Sequence, residues 1–374
     1  MRSVRSLLTM QLTRLGSLNA LEQARPGGPW QGWLGGAVPS ADALGDAAAA
    51  LELQDLRDEL FRQYTVLKRN KAIRPLPRGV LVLILDAHES GASYRRCSKG
   101  SLTRTVKTAK GDRLQFYYRH VTAMLLHAGG EVLLDVEPLR PGEDEIAAAM
   151  RLFERVVQRY PRAFDTVEGD ALYLHPGFCR LARRHRKHFI AVLKNENRDL
   201  IVDVRGLLPL APPHRWTENH TDIEAWDLPD LTTWTQYDEP IRVVRTLETH
   251  PVRRQLTKKL ETEQAEWMWG TDIPQWKAPR EVIVRLGHGR WSIENQGFNE
   301  TVNAWHGDHI YKNDPNAIVA LLLLLFLAYN LFHAFYTRDL KPALRAAYTM
   351  AFLAEKVRAA FLDAIKLRAG RRPP

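Results

Sequence analysis

The chain has 374 residues and a net charge of +10, enough for a large core and two or three structural units. Cys97 and Cys179 stand alone, which excludes a disulfide framework and makes a reducing, cytoplasmic setting the expectation. The charge is modest for this length, so its location says more than its total.

Arg2 and Arg5 precede an apolar LLTM, but Gln11, Thr13 and Arg14 break it, so no signal peptide is read there. Residues 1–75 read as a helical unit. Pro39-Ser40 offers an N-cap, and Leu53, Leu56, Leu60, Tyr64 and Leu67 recur at helical steps up to the basic LKRNK. The unit suits either binding of a DNA end or plain packing, because no sharp glycine turn of the helix-turn-helix kind is present.

From Gly79 the pattern changes to strands. GVLVLILD (79–86), QFYYRHVTAMLLH (115–127) and EVLLDVEPL (131–139) are successive strand-length runs. Between the first two lies a basic loop: Arg95, Arg96, Lys99, Arg104, Lys107, Lys110 and Arg113 face one acid, Asp112, giving +6 within nineteen residues. Such a run fits a polyphosphate partner or a solvated face. Ile146, Met150, Phe153, Val157 and Tyr160 mark a helix ending at Pro161; FDTVEGD (164–170) is a fourth strand. His175-Pro176 opens a helix rich in Arg and His, including Arg183 and Arg184, and HFIAVLK (188–194), ending at Lys194, is a fifth strand. The order β-β-β-α-β-α-β predicts a ribonuclease-H-like α/β fold, a mixed sheet with flanking helices, over residues 76–195.

Residues 196–282 carry six of the ten tryptophans and short alternating runs, predicting a mostly β insertion. Trp267 and Trp269 in EWMWG are candidates for stacking on an unpaired base, the other tryptophans for core anchors. Residues 283–336 return to the α/β unit with a helix holding Glu294 and the run AIVALLLLLFLA (317–328). At twelve residues that run falls short of the ~20 a bilayer needs, so a core helix is expected and no membrane partner. Residues 337–374 form a last amphipathic helix with Leu344, Tyr348, Phe352 and Phe361, then a basic tail RAGRRPP.

Asp86 and Asp170 each end a strand-like run, and Glu294 sits on a helix. Three carboxylates so delivered suit two divalent ions for phosphodiester chemistry, and an oxygen-only site suits Mg²⁺. Arg290, four residues before Glu294, is placed to contact a phosphate or orient the acid. Each acid also has a plainer reading: strand-end aspartates serve as caps, and Glu294 as a surface partner of Arg290. His88 is a partner of Asp86 or a structural histidine, Glu168 a helper beside Asp170, and His185, His188 and Cys179 match no zinc spacing. Asn295 and Asn299 flank the glutamate without a decided role.

LDAHES around Asp86, VEGDALYLHPGF around Asp170 and GRWSIENQGFNE around Glu294 resemble the three catalytic blocks of DDE transposases of bacterial insertion sequences, in the group named after insertion sequence four. The resemblance covers roughly residues 35 to 340. It implies an all-β insertion before the glutamate helix and Asp86, Asp170 and Glu294 as catalytic and metal-binding residues for two Mg²⁺ ions, with Mn²⁺ able to substitute. It further implies cleavage at the terminal inverted repeats of a mobile element, strand transfer of the 3′-end into target DNA, and a homodimer working at the bacterial nucleoid. DNA contacts are expected from Arg290, Arg95, Arg96, Lys99, Arg104, Lys107, Arg183, Arg184, Lys194, Trp267 and Trp269. Arg290 matches the arginine of the group's Tyr-Arg-Glu-Lys signature, but the tyrosine position holds Gly287 and the lysine position Thr301; His288, Lys312 or the basic loop are possible replacements. The alternatives are a nuclease of the same fold without strand transfer and an inactive DNA-binding remnant.

Overall fold

The computed structural model describes residues 1–24, 29–194, 198–254 and 258–369. The chain forms two compact units: Met1–Arg74, Asp86–Tyr160 and Ser292–Pro374 make the first, Pro75–Leu85 and Pro161–Trp291 the second. Together they are of the mixed α/β class, with a large mixed sheet flanked by helices, as the element order predicts.

In the first unit, α1 (Arg2–Leu12), α2 (Leu18–Ala24), α3 (Pro29–Leu34), α4 (Ala41–Ala49) and α5 (Leu53–Arg69) precede the sheet. Ser40 caps α4 by accepting from the Ala43 amide. In α5, Leu56, Leu60, Tyr64 and Leu67 form the buried stripe, while Asp55 opens the helix and Lys68 and Arg69 close it, each charge opposing the nearer end of the helix dipole.

Strand β1 (Val82–Ser93) begins in the second unit and continues in the first. It is followed by β2 (Leu102–Thr108), β3 (Gly111–His127) and β4 (Gly130–Pro138). The inner half of β3 pairs with β4, and its outer half, Gly111 to Tyr117, pairs with β2. The expected basic loop is therefore a β-hairpin over part of its length: Arg104, Lys107 and Arg113 lie on paired strands, while Arg95, Arg96 and Lys99 precede β2 and Lys110 lies in the turn. Helix α6 (Glu145–Arg159), capped by Asp144, packs on β3 and β4.

The second unit adds β5 (Thr166–Gly169), α7 (Pro176–Arg184), β6 (His188–Val192) and α8 (Arg198–Leu207). It continues with β7 (His214–Glu218), β8 (Thr221–Leu231), β9 (Ile241–Arg253), β10 (Leu260–Thr271) and α9 (Arg280–Gly289). Strands β5 and β6 run parallel to the start of β1 and to each other. The insertion is a β-meander, β7 to β10, that extends this sheet by pairing β10 antiparallel to β6.

The first unit closes with α10 (Asn299–Trp305), α11 (Pro315–Ala334), α12 (Pro342–Ala347) and α13 (Met350–Ala369). The single amphipathic helix expected at the end is thus two helices; Leu344, Tyr348 and Phe352 are about two-fifths exposed, and only Phe361 is fully buried. The basic tail from Gly370 lies outside the described residues.

Helix α11 is longer than its apolar run suggests. With the π-helical turn that follows it reaches Asp339, which is long and apolar enough to cross a membrane, so the length argument against a span does not hold. Burial replaces it: 72% of the apolar window is buried inside the protein, against α1, α4, α5 and β4. Asp314 caps the helix and Pro315 takes its first position, where a missing N–H costs nothing. Asn330 interrupts the leucines for a reason. It is 2% exposed, donates to the Leu133 carbonyl (2.8 Å) and accepts from the Leu133 amide (2.9 Å), satisfying β4 groups that the pairing with β3 leaves over.

Two predictions follow from these contacts. Asn330→Leu should cost about 2 kcal/mol or more, because it strands a buried amide and a buried carbonyl at once; chemical denaturation measures this directly. His127 accepts from the Gly129 amide through Nδ1 (3.0 Å), and burial with the nearby Arg74 charge lowers its pKa from 6.5 to about 4. The neutral ring is the folded form, so its contribution is complete above pH 6.5 and fades as pH falls toward 4, by at most about 1.4 kcal/mol per pH unit. His127→Asn should flatten stability over that window.

Candidate active site

The apolar residues Val82 to Leu85 are all fully buried in β1, as a parallel strand covered on both faces requires. The β1–β5 register pairs Val82 with Thr166, Leu83 with Val167 and Ile84 with Glu168. Asp86 lies two residues beyond Ile84, and Asp170 two residues beyond Glu168. Asp86 is 9% exposed, and its Oδ1 accepts from the Ala87 amide (2.8 Å). It does not end its strand, since β1 runs on to Ser93. Asp170 does end one: it follows β5 directly and caps the 3₁₀ turn Ala171–Tyr173, its Oδ1 accepting from the Leu172 amide (2.8 Å). Asp170 thus carries a local capping role, whereas Asp86 binds only the amide of the residue that follows it on the same strand.

Glu168 is 2% exposed, and its Oε2 has no hydrogen-bond partner among the described residues. Burial pushes its carboxyl well above the usual carboxylate range; the charge and backbone amide of Arg290 pull the other way. Arg290 therefore faces Glu168 within the second unit, a partner that the reading of Arg290 with Glu294 alone does not anticipate.

Gly287, where the signature has tyrosine, closes a gap. A Cβ there would lie 2.3 Å from Nε1 of Trp269, and Trp269 is 1% exposed. The indole occupies the space a larger residue would need. The same burial takes Trp269 out of reach of an incoming base. Trp267 is half-buried, and beside it Trp291, 37% exposed, packs edge-on with ring centroids 5.1 Å apart. Trp291 is the aromatic surface that sequence reasoning missed, although its place one residue after Arg290 was visible. His288 sits among these rings and contacts Glu248 at 2.8 Å, so it is already engaged.

Glu294 is exposed and lies in the first turn of a π-helical segment, Ile293–Phe298, between α9 and α10. A π turn widens the helix by one residue per turn and so re-aims the side chains it carries, a device common at functional sites. His88 stacks on Phe298 (4.9 Å) in the first unit, and burial lowers its pKa, which favours its structural reading. Thr301, at the signature's lysine position, is 7% exposed and donates to the Gly297 carbonyl (2.6 Å). Lys312 is bound to Asp46 (2.7 Å). The side chain of Asn295 lies outside the described residues.

Arg95, Arg96, Lys99, Arg104, Lys107, Arg183, Arg184 and Lys194 are all exposed. Two are already paired: Arg104 makes a two-pronged contact with Glu89 (2.7 Å each), and Arg183 pairs with Glu239 at 3.3 Å. Cys179 is fully buried, and burial pushes its thiol up, so it is no metal ligand as it stands. Among the described residues, no group of three or more His, Cys, Asp or Glu side chains is gathered to hold a metal ion. The donor chemistry of Asp86, Asp170 and Glu294, carboxylate oxygen throughout, fits a hard divalent cation.

The family model for the transposase DDE domain matches residues 79–331, well over half the chain and inclusive of all three acids. No curated protein matches the chain.

Because Gly287 abuts Trp269, Gly287→Ala should destabilise the second unit by about 1–3 kcal/mol, seen as a lowered Tm. Trp269→Phe in the same chain should recover part of the loss.

Proposed function

The chain belongs to the transposase DDE domain family, and on that premise we propose that it cleaves DNA at the terminal inverted repeats of a mobile element and transfers the freed 3′-end to target DNA. Asp86, Asp170 and Glu294 would hold two Mg²⁺ ions. When bound, such ions activate the attacking oxygen and stabilise the leaving one. The reading rests above all on register: Asp86 and Asp170 stand at the same offset beyond the paired residues Ile84 and Glu168 of neighbouring parallel strands. On β1 an offset of two puts Asp86 on the strand face of Ile84.

Arg290 and the exposed cations of the β2–β3 hairpin, Lys107 foremost, would hold phosphates of the bound duplex. Trp267 and Trp291 offer a base-stacking surface, worth about 1–3 kcal/mol per base. Residues 1–75 are assigned to the DNA end, and the segment from 337 to a homodimer contact. With Gly287 and Thr301 in place of the signature's tyrosine and lysine, end processing would rely on other phosphate contacts.

Labelled DNA carrying the element's terminal repeats, incubated with Mg²⁺ or EDTA, tests the proposal. Asp86→Asn, Asp170→Asn and Glu294→Gln should each lower cleavage by roughly a thousandfold or more while leaving the melting temperature and DNA binding nearly unchanged. Cleavage without joined products would favour a nuclease, and binding without cleavage in Mg²⁺ or Mn²⁺ a DNA-binding remnant.

A further inference from the structure

The first unit contains a cavity of about 390 Å³ between the middle of β3, the end of β4, the loop at Lys99 and Gly100, and the opening turns of α11. Its walls are apolar, with Leu139, Ile318, Val319 and Leu322 each less than one-tenth exposed. Pro138, Pro141 and Pro315 line it as well, and their locked φ angles resist collapse of the rim.

Polar groups at the cavity are few and of one sign. Lys99, Arg119 and Arg140 line it, and no lining residue is acidic. Arg119 is tied to Glu145 (2.6 Å), whereas Lys99 and Arg140 are exposed. His120 also lines the cavity; it is 5% exposed, and its Nδ1 has no hydrogen-bond partner among the described residues.

From this combination we infer that the cavity binds a small anionic amphiphile, an alkyl or aryl chain carrying a single carboxylate or sulfonate. The apolar body fills the space between α11 and the strands, and the anionic head meets Arg140 and Lys99 at the rim. At about 30 Å³ per packed group, the volume takes roughly a dozen non-hydrogen atoms. A free nucleotide is a poorer fit, because its base needs several hydrogen-bond partners and the walls supply little beyond His120. Burial lowers the His120 pKa to about 3, so the ring is neutral at pH 7 and adds no charge to the floor.

Decanoate is a suitable probe, with decylamine as its charge-reversed control. Calorimetric titration of the full chain below the micellar range should give saturable, one-to-one binding of decanoate and none of decylamine. Val319→Trp, which fills the cavity, should abolish the binding; Arg140→Glu, an exposed substitution that spares the core, should weaken it about tenfold. If Val319→Trp fails to fold by circular dichroism, Arg140→Glu decides alone. The inference is overturned if decylamine binds as tightly as decanoate, if decanoate binding survives Arg140→Glu unchanged, or if duplex DNA displaces decanoate stoichiometrically.

Discussion

The parallel pairing of the start of β1 with β5 is the constraint on which the rest depends. Val82, Leu83, Ile84 and Val167 are fully buried, and that burial fixes the register, because a slip of one residue would turn every side chain of a strand to the opposite face. Two residues beyond the paired Ile84 and Glu168 stand Asp86, still on β1, and Asp170, just past the end of β5. The buried run before each acid is therefore the support for its placement. Glu168 shows the cost of the same register: alternation buries its carboxyl, and Arg290 is the charge that offsets it.

Much of this was legible in the sequence because it is local. The run from Val80 to Leu85, the stripe Ile146, Phe153, Val157 of α6 and the stripe Leu56, Leu60, Tyr64, Leu67 of α5 are periodic signals, and each matches a buried face. Hairpin β2 escaped notice because its residues, LTRTVKT, are mostly exposed and read as a charged loop; what makes them a strand is pairing with the outer half of β3. The β10–β6 pairing joins segments far apart in sequence, which no local pattern reports. The same holds for Gly287, whose meaning lies in Trp269, and for Asn330, whose meaning lies in Leu133.

Electrostatics was less legible still. The basic segment from Arg95 to Arg113 counts as +6 in sequence, but Arg104 is held by Glu89, outside that segment, and the Arg113 guanidinium lies over the Tyr94 ring at 4.3 Å. Formal charge overstates what remains for a polyanion, and only the tertiary partners reveal by how much. The acids of β4 and its flank make the converse case: Asp135 and Glu137 are buried and look like candidate ligands, yet Arg57, Arg151 and Arg155 neutralise them.

The central claim is that Asp86, Asp170 and Glu294 share divalent metal when DNA is bound. Loading the DNA complex with Fe²⁺ and generating hydroxyl radicals with ascorbate and peroxide would cut the polypeptide next to the bound ions. The account predicts cuts near residues 86, 170 and 294 together, all suppressed by excess Mg²⁺ and all lost in Asp170→Ala. Cuts near only one of the three, or a pattern unchanged in Asp170→Ala, would contradict it.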